Sequence, residues 1–313
     1  GSNAAINVTS KGFTSYNGPG GGSGASYGGV GSWGCGPCYG SVVAPTNLGS
    51  GGRDDESYTP GHGEGGGAIL MLVSGTIRND GLICADGEVG AWGSGSGGSI
   101  WLRSGTLIGP TGGIIRANGG ASVSGRNPGG GRIALVVTNT GADFSGFTGL
   151  ISAYGGGGGN YGCAGTIYRE KQADFSRGEL IVNNYGGTRG YTANNTDLSG
   201  VEAVTYDFSR ITLTNGAIVN IGSNDAIIVT NTVFVGAGGI SNGIWISGGI
   251  LMAPPTFGYS NFFIGISATG SIFNPCTNLL VIGTNAEFRV DVPCGMKDVV
   301  VEGGGNMTHT ANP

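Results

Sequence analysis

Acidic side chains are the residues of this chain best suited to metal chemistry, and their densest cluster is Asp54, Asp55 and Glu56, close to His62. Carboxylates and loop carbonyls are the oxygen ligands that Ca²⁺ takes. The cluster therefore predicts either a calcium site or a solvated loop. No other cofactor is indicated, and the calcium-binding nonapeptide repeat does not occur in the sequence.

Catalytic sets are poorly represented. A Ser-His-Asp set needs a histidine held by an acid, and the chain has only His62 and His309. Glycoside hydrolysis needs two carboxylates about 5–10 Å apart, whereas strand-borne acids are few. The arginines of the repeats lack an acid at the matching position of an adjacent unit; they are Arg78, Arg103 and Arg116. An enzyme is the less favoured class, although residues that meet only in the fold keep it open.

Aromatic side chains in glycine-rich stretches could bind a sugar, since their faces stack on sugar rings and the neutral surroundings offer hydrogen bonds. The candidates are Trp33, Tyr39, Trp92, Tyr154 and Tyr161. The alternative is that these rings pack over the loops to which they belong. Both interpretations stay open at the level of the sequence.

Six cysteines in a polar, glycine-rich chain favour disulfides and an oxidising compartment. Cys35 and Cys38 are predicted to form a local loop staple, and Cys276 and Cys294 are predicted to pair. A redox motif at residues 35–38 is not favoured, because it would need a helix start that lowers the thiol pKa.

These residues sit on a repeating scaffold. A unit that opens Gly-Gly-x-Ile and closes Gly-x-Ile-x-Ala recurs along the chain, with opening isoleucines at Ile69, Ile100, Ile133 and Ile167. The spacings are 31, 33 and 34 residues. A fixed period in this range indicates stacked units that each bury an apolar face against the next.

Short runs rich in Ile, Val and Thr, bounded by Gly and Asn, predict strands throughout. The fold class is therefore all-β, a right-handed parallel β-helix (solenoid) with long glycine-rich loops and a glycine-rich N-terminal capping segment. The ladders predicted to point inward are the opening isoleucines, then Met71, Leu102 and Leu135, and then Ala85, Ala117 and Ala153. On the outer face, Leu70, Trp101, Ala134 and Tyr168 should be covered by the N-terminal segment or by a partner.

Five segments are predicted. Residues 1–4 are typical of an expression-vector remnant, and residues 5–65 form the capping segment. The long-repeat coils occupy residues 66–187, shorter coils occupy residues 188–302, and residues 303–313 are a linker that leads to neighbouring domains of a larger chain. The fourth closing motif, Leu180–Val182, is weak, and residues 168–179 are expected to form a loop.

The amino-acid composition limits the classes of partner that this chain could bind. Glycine contributes 70 of the 313 residues and charged residues only 11%, with a net charge of −5. Nucleic-acid binding is excluded because it requires a basic stripe. Membrane insertion is not expected either, since the apolar runs are short. A neutral surface rich in Gly, Ser, Thr and Asn suits a secreted or cell-surface protein that meets polysaccharides or cell-surface glycans.

The strings at residues 44–52, 98–102 and 130–134 resemble glycine-rich modules of very large secreted or surface proteins of environmental bacteria. The remainder is similar to a pectate-lyase-like β-helix. This resemblance implies fold and location. Its motifs are turn and ladder residues, so it transfers no catalytic site.

Three functions remain. The first is a non-catalytic extracellular structural or adhesion module that binds carbohydrate through the stacked loops. The alternatives are a polysaccharide lyase or glycoside hydrolase with a groove along the coils, and a self-assembling surface-layer or fibre component that uses an exposed coil end.

Overall fold

The computed structural model describes residues 4–32, 34–52, 63–122, 125–157, 162–184, 195–198, 203–237, 241–274 and 279–309. Within these ranges the chain consists of β-strands in mostly parallel sheets, joined by irregular segments. The predicted all-β class is therefore confirmed. None of the helical segments in the described ranges is long and apolar enough to cross a bilayer.

The first half contains β1 (Ala5–Asn7), β2 (Ala68–Arg78), β3 (Leu82–Cys84), β4 (Ser99–Ile108), β5 (Ile114–Arg116), β6 (Arg132–Val137), β7 (Leu150–Ser152), β8 (Thr166–Lys171), a 3₁₀ turn (Gln172–Asp174) and β9 (Glu179–Asn183). The second half contains β10 (Thr196–Asp197), β11 (Val204–Asp207), β12 (Arg210–Thr214), β13 (Ile218–Gly222), β14 (Asp225–Ile228), β15 (Val233–Ala237), β16 (Gly243–Ser247), β17 (Ile250–Met252), β18 (Thr256–Tyr259), β19 (Phe263–Ile266), β20 (Ile272–Asn274), β21 (Leu279–Ile282), β22 (Glu287–Val290), β23 (Asp298–Val301) and β24 (Asn306–Thr308).

The opening strands of successive repeats pair in parallel and in register. Ile69 lies opposite Ile100, Ile100 opposite Ile133, and Ile133 opposite Ile167. All four side chains are buried, because alternation along a strand sends every second residue to the same face. The predicted isoleucine ladder is confirmed.

The closing strands form a sheet of their own, in the order β1-β3-β5-β7. The alanines that follow them, Ala85, Ala117 and Ala153, are buried as predicted. Backbone N–H groups of Ala85 and Ala117 donate to the carbonyls of the next repeat at 2.9 Å. The parallel register therefore continues past the strand ends into the corner.

The fourth repeat departs from the pattern. Arg169 stays in register opposite Leu135, but β8 then turns back and pairs antiparallel with β9. Phe175 and Ser176 take left-handed backbone conformations in the connection, which reverses the chain. The weak closing motif Leu180–Val182 therefore belongs to the sheet of opening strands, and the loop predicted over residues 168–179 is partly strand.

In the second half, three parallel sheets carry the chain onward, in the orders β10-β13-β16-β19-β22-β24, β11-β14-β17-β20 and β18-β21-β23. Two further strands, β12 and β15, extend the sheet of opening strands beyond β9. The sheet that contains β22 ends with β24, so a strand, Asn306–Thr308, lies within the segment predicted to be a linker.

Glycine-rich segments pack beside the sheets with their backbones in direct contact. We call the described parts of residues 12–52, 87–98, 119–131 and 155–165 the glycine layer. At Gly165 an added Cβ would overlap the carbonyl oxygen of Gly131, and at Gly95 that of Glu64. Only glycine permits so close an approach of two backbones. The N–H and C=O groups of neighbouring segments then form hydrogen bonds with one another, as when Gly66 N–H donates to the Ser96 carbonyl at 2.9 Å.

Two apolar clusters form the core. One lies inside the first-half repeats and is built on the isoleucine ladder. The other joins the outer face of those repeats, at Ala134 and Tyr168, to the second half. Val42 of the N-terminal segment belongs to the second cluster, as does Phe208 of the second half, whose ring lies 6.3 Å from that of Tyr168. Leu70, at the other end of the same face, is 51% exposed.

Candidate functional site

The loops of successive repeats lie side by side in the glycine layer. A parallel bridge joins Gly90 of the first loop to Ser122 of the second, and the Ser94 hydroxyl donates to the Ala121 carbonyl at 2.9 Å. Gly156 N–H of the third loop donates to the Pro128 carbonyl of the second at 2.8 Å. The loops therefore present one continuous surface, as the shared corner predicts.

A polar ladder runs along the base of these loops at the position after each corner alanine. Asn118 N–H donates to Asp86 Oδ1, and Tyr154 N–H donates to Asn118 Oδ1, both at 2.8 Å. Burial raises the pKa of Asp86, against the opposing effects of the Asn118 N–H and of Arg116. The hydrogen bond to Asn118 fixes the backbone position of Tyr154, and this residue is half-buried.

Trp92 and Arg126 meet across two neighbouring loops. The Arg126 guanidinium lies 5.5 Å from the centroid of the indole ring, which is cation–π distance. Both residues are half-buried. The contact therefore brings an aromatic face and N–H donors to one place on the layer.

Tyr39 does not reach this surface. It is 4% exposed, and its ring lies 4.7 Å from that of Tyr27. Its hydroxyl donates to the Leu48 carbonyl at 2.6 Å and lies 2.7 Å from Ser50 Oγ. The ring and the hydroxyl of Tyr39 are therefore covered by other residues of the N-terminal segment.

The cysteine staple does not form either. Cys35 and Cys38 are unbridged. The Cys35 thiol donates to the Gly31 carbonyl at 3.2 Å, and Cys38 is fully buried. Cys276 lies outside the described residues, so its pairing with Cys294 stays a prediction.

The remaining predicted residues also lie outside the described ranges. They are the aromatic residues Trp33 and Tyr161 and the acids Asp54, Asp55 and Glu56. Within the described ranges no group of three His, Cys, Asp or Glu side chains is placed to hold a metal.

A second site lies where β8 turns into β9. Glu179 is central there, because it accepts hydrogen bonds from Arg169 Nη2 and from the Thr212 hydroxyl, both at 2.6 Å. A cavity of about 240 Å³ opens beside it. Its charged lining residues are Asp143, Arg169, Lys171, Asp174, Glu179 and Arg210.

The carboxylates of this cavity are already engaged. The Ser145 hydroxyl and N–H hold the pKa of Asp143 below its ordinary value. Asp174 accepts the Lys171 N–H at 2.8 Å. Asp143 and Asp174 are therefore held as hydrogen-bond acceptors, and Glu179 is tied to Arg169.

Sequence inspection missed these acid–base pairs. Asp86 meets Arg116 at 2.8 Å, although it stands two residues beyond the position opposite Arg116. Arg169 meets Glu179 because the sheet reverses at this point. One feature of the sequence could have indicated them: Arg169 occupies the strand position that is Met71, Leu102 or Leu135 in the other repeats.

No protein-family model, curated protein or solved structure matches this chain with significance.

Proposed function

We propose that this chain is a non-catalytic extracellular module, structural and adhesive in role, which binds carbohydrate through the glycine layer. The contact between Trp92 and Arg126 carries the proposal. An aromatic face stacks on the C–H face of a sugar while guanidinium N–H groups donate to its hydroxyls. Tyr154 adds a second ring on the third loop.

The scaffold that presents the layer is, in this proposal, a right-handed parallel β-helix. Each of the first three repeats contributes one opening strand and one closing strand to two separate sheets, and the strands of these repeats pair in parallel. Parallel strands of one sheet need crossover connections, and these are right-handed in about 98% of cases. The stacked coils hold successive loops at a constant strand spacing of about 4.8 Å, which suits a repeating glycan.

The low charge of the chain supports, in this proposal, a location at the cell surface or in the medium. Only 11% of residues are charged, against about 25% in typical domains. A neutral hydrogen-bonding surface favours contact with sugars, whereas nucleic acid needs positive charge.

The test is a glycan array with the intact chain, followed by calorimetry on the glycans that bind. Trp92→Ala and Tyr154→Ala should weaken binding by roughly tenfold each, since an aromatic contact contributes about 0.5–1.5 kcal/mol. Val89→Ala is the matched control, because Val89 is 63% exposed on the same loop as Trp92. Unchanged binding in both aromatic variants would contradict the proposal.

A polysaccharide lyase or hydrolase is the second candidate, and the charged cavity beside Glu179 favours it. Its acids are already engaged by protein hydrogen-bond donors, which is why it comes second. Turnover of acidic and neutral polysaccharides, read as unsaturated products or new reducing ends, tests it. Activity that Glu179→Gln abolishes while glycan binding persists would replace the first proposal.

A further inference from the structure

The connection between β8 and β9 places an aromatic ring in solvent. Phe175 is 84% exposed and has a φ of 49°, and Ser176 follows with a φ of 65°. Left-handed backbone is unfavourable for residues with a Cβ and is usually taken by glycine or asparagine. A chain with 70 glycines nevertheless carries phenylalanine at this turn.

Neither packing nor backbone preference accounts for this ring. With 84% of its surface exposed, it contributes little burial, and its conformation stores strain. Backbone strain of this kind clusters at active sites and ligand-binding sites.

A cavity of about 260 Å³ adjoins the ring. Its polar lining comes from Arg103, Thr138, Glu170, Gln172 and Ser176. Arg103 and Gln172 are exposed, and Arg103 forms no ion pair with another described residue. Glu170 accepts the Tyr168 hydroxyl at 2.8 Å, which holds its carboxylate in place.

We propose that Phe175 and this cavity form a binding site for a neutral pyranose ring. The phenyl face covers the C–H face of the sugar, and Arg103 and Gln172 donate to its hydroxyls. One aromatic ring beside a polar cavity fits a saccharide better than a protein surface, which would meet an apolar pocket. The single positive and single negative side chain of the lining favour a neutral sugar over an acidic one.

This site goes beyond the function proposed above, because it lies on the β8–β9 turn and uses none of the loop residues. Each of the two sites can be tested with its own variant. Phe175→Gly removes the ring and relieves the backbone, whereas Trp92→Ala leaves the turn intact.

The experiment titrates the intact chain with oligosaccharides of glucose, mannose, galactose and galacturonate, followed by calorimetry and by saturation-transfer NMR. Wild type and Phe175→Tyr should bind a neutral oligosaccharide, with saturation reaching the sugar C–H protons. Phe175→Gly should bind roughly tenfold more weakly or worse with an equal or higher Tm, whereas Val89→Ala, at a position 63% exposed on the first loop, should retain this binding.

Three outcomes would overturn the site. They are undiminished binding by Phe175→Gly, a lower Tm for that variant, which would make the ring structural, and binding of galacturonate alone. If the first of these outcomes came together with loss of all binding in Trp92→Ala, it would support the loop site.

Discussion

Arg132 is the largest fully buried side chain among the described residues. Its Nε donates to the Tyr39 carbonyl at 2.9 Å, and its Nη2 donates to the Leu198 carbonyl at 2.9 Å. Nη1 lies 3.2 Å from the Thr166 hydroxyl. The guanidinium therefore joins the N-terminal segment, the fourth repeat and the start of the second half, and a buried charge needs such partners.

Arg132→Met should therefore destabilise the chain by about 3–5 kcal/mol, because it leaves several buried acceptors without a hydrogen-bond donor. Arg78→Met is the control: Arg78 is 66% exposed in its pair with Asp80, and the change should stay within about 0.5 kcal/mol. Urea unfolding measures both. A loss below about 1 kcal/mol for Arg132→Met would show that the network adds little stability.

The hydrogen bonds of the Glu287 carboxylate lead to a prediction of how the free energy of unfolding depends on pH. Its carboxylate accepts Arg289 Nη2 at 2.7 Å and the Thr308 hydroxyl at 2.6 Å. The Arg289 hydrogen bond, followed by that of Thr308, holds the pKa of Glu287 below its ordinary value of 4.5. Because the folded pKa is the lower one, this stabilisation is present above pH 4.5 and disappears as the pH falls through the folded pKa.

Glu287→Gln should accordingly flatten the acid limb of a plot of Tm against pH, relative to wild type. Asp298→Asn, at an exposed position, provides the matched change of charge. Parallel acid limbs for wild type and Glu287→Gln would contradict the prediction.

At the scale of elements, close backbone packing in the glycine layer predicts a sharp contrast between glycines. Gly165→Ala puts a Cβ onto the Gly131 carbonyl and should cost about 1–3 kcal/mol or more. Gly112→Ala meets nothing within 4 Å and should be neutral or stabilising by up to about 1 kcal/mol. Thermal unfolding measures both, and equal effects would argue against the layer.

The edge of β2 is the element that favours self-association, the third function open from the sequence. Leu70 and Leu72 are 51% and 64% exposed on this edge strand, which carries no charge before Arg78. At the opposite end, β23 exposes Val300 and Val301, next to Asp298. A second copy could therefore stack end to end through these exposed apolar strands.

Leu72→Lys should reduce any concentration-dependent association seen by light scattering, because a charge on an edge strand opposes pairing. Val89→Lys, on an exposed loop position, controls for the added charge. A wild type that stays monomeric at every concentration would exclude this assembly.

At the scale of the whole molecule, the second apolar cluster unites the two halves. Phe208 is fully buried, stacks on Tyr206 at 5.4 Å and lies 6.3 Å from the Tyr168 ring of β8. Val42 N–H reaches the Tyr206 hydroxyl at 3.3 Å. The halves should therefore unfold together.

Phe208→Ala should cost about 3–5 kcal/mol and raise hydrogen exchange in β6 and β13 alike, as measured by mass spectrometry. Ile272→Ala, with the side chain 48% exposed, is the control. Exchange confined to the second half would show that the halves are independent.

Much of the fold was determined by the sequence alone. Strand class, the isoleucine ladder and the alanine corner follow from alternation and from a period near 33 residues, which are local properties repeated in register. Most second-half strands were also predictable, whereas short ones such as β17 and β20 carry too few residues for a pattern.

The reversal at β8–β9, the burial of Tyr39 and the meeting of Trp92 with Arg126 were decided only by the tertiary structure. The last two depend on how separate segments pack: Trp92 meets Arg126 of another loop, and the Tyr39 carbonyl meets Arg132 across 93 positions. Local periodicity cannot specify which carbonyl a guanidinium reaches or which ring is covered, since those outcomes depend on how the layers pack.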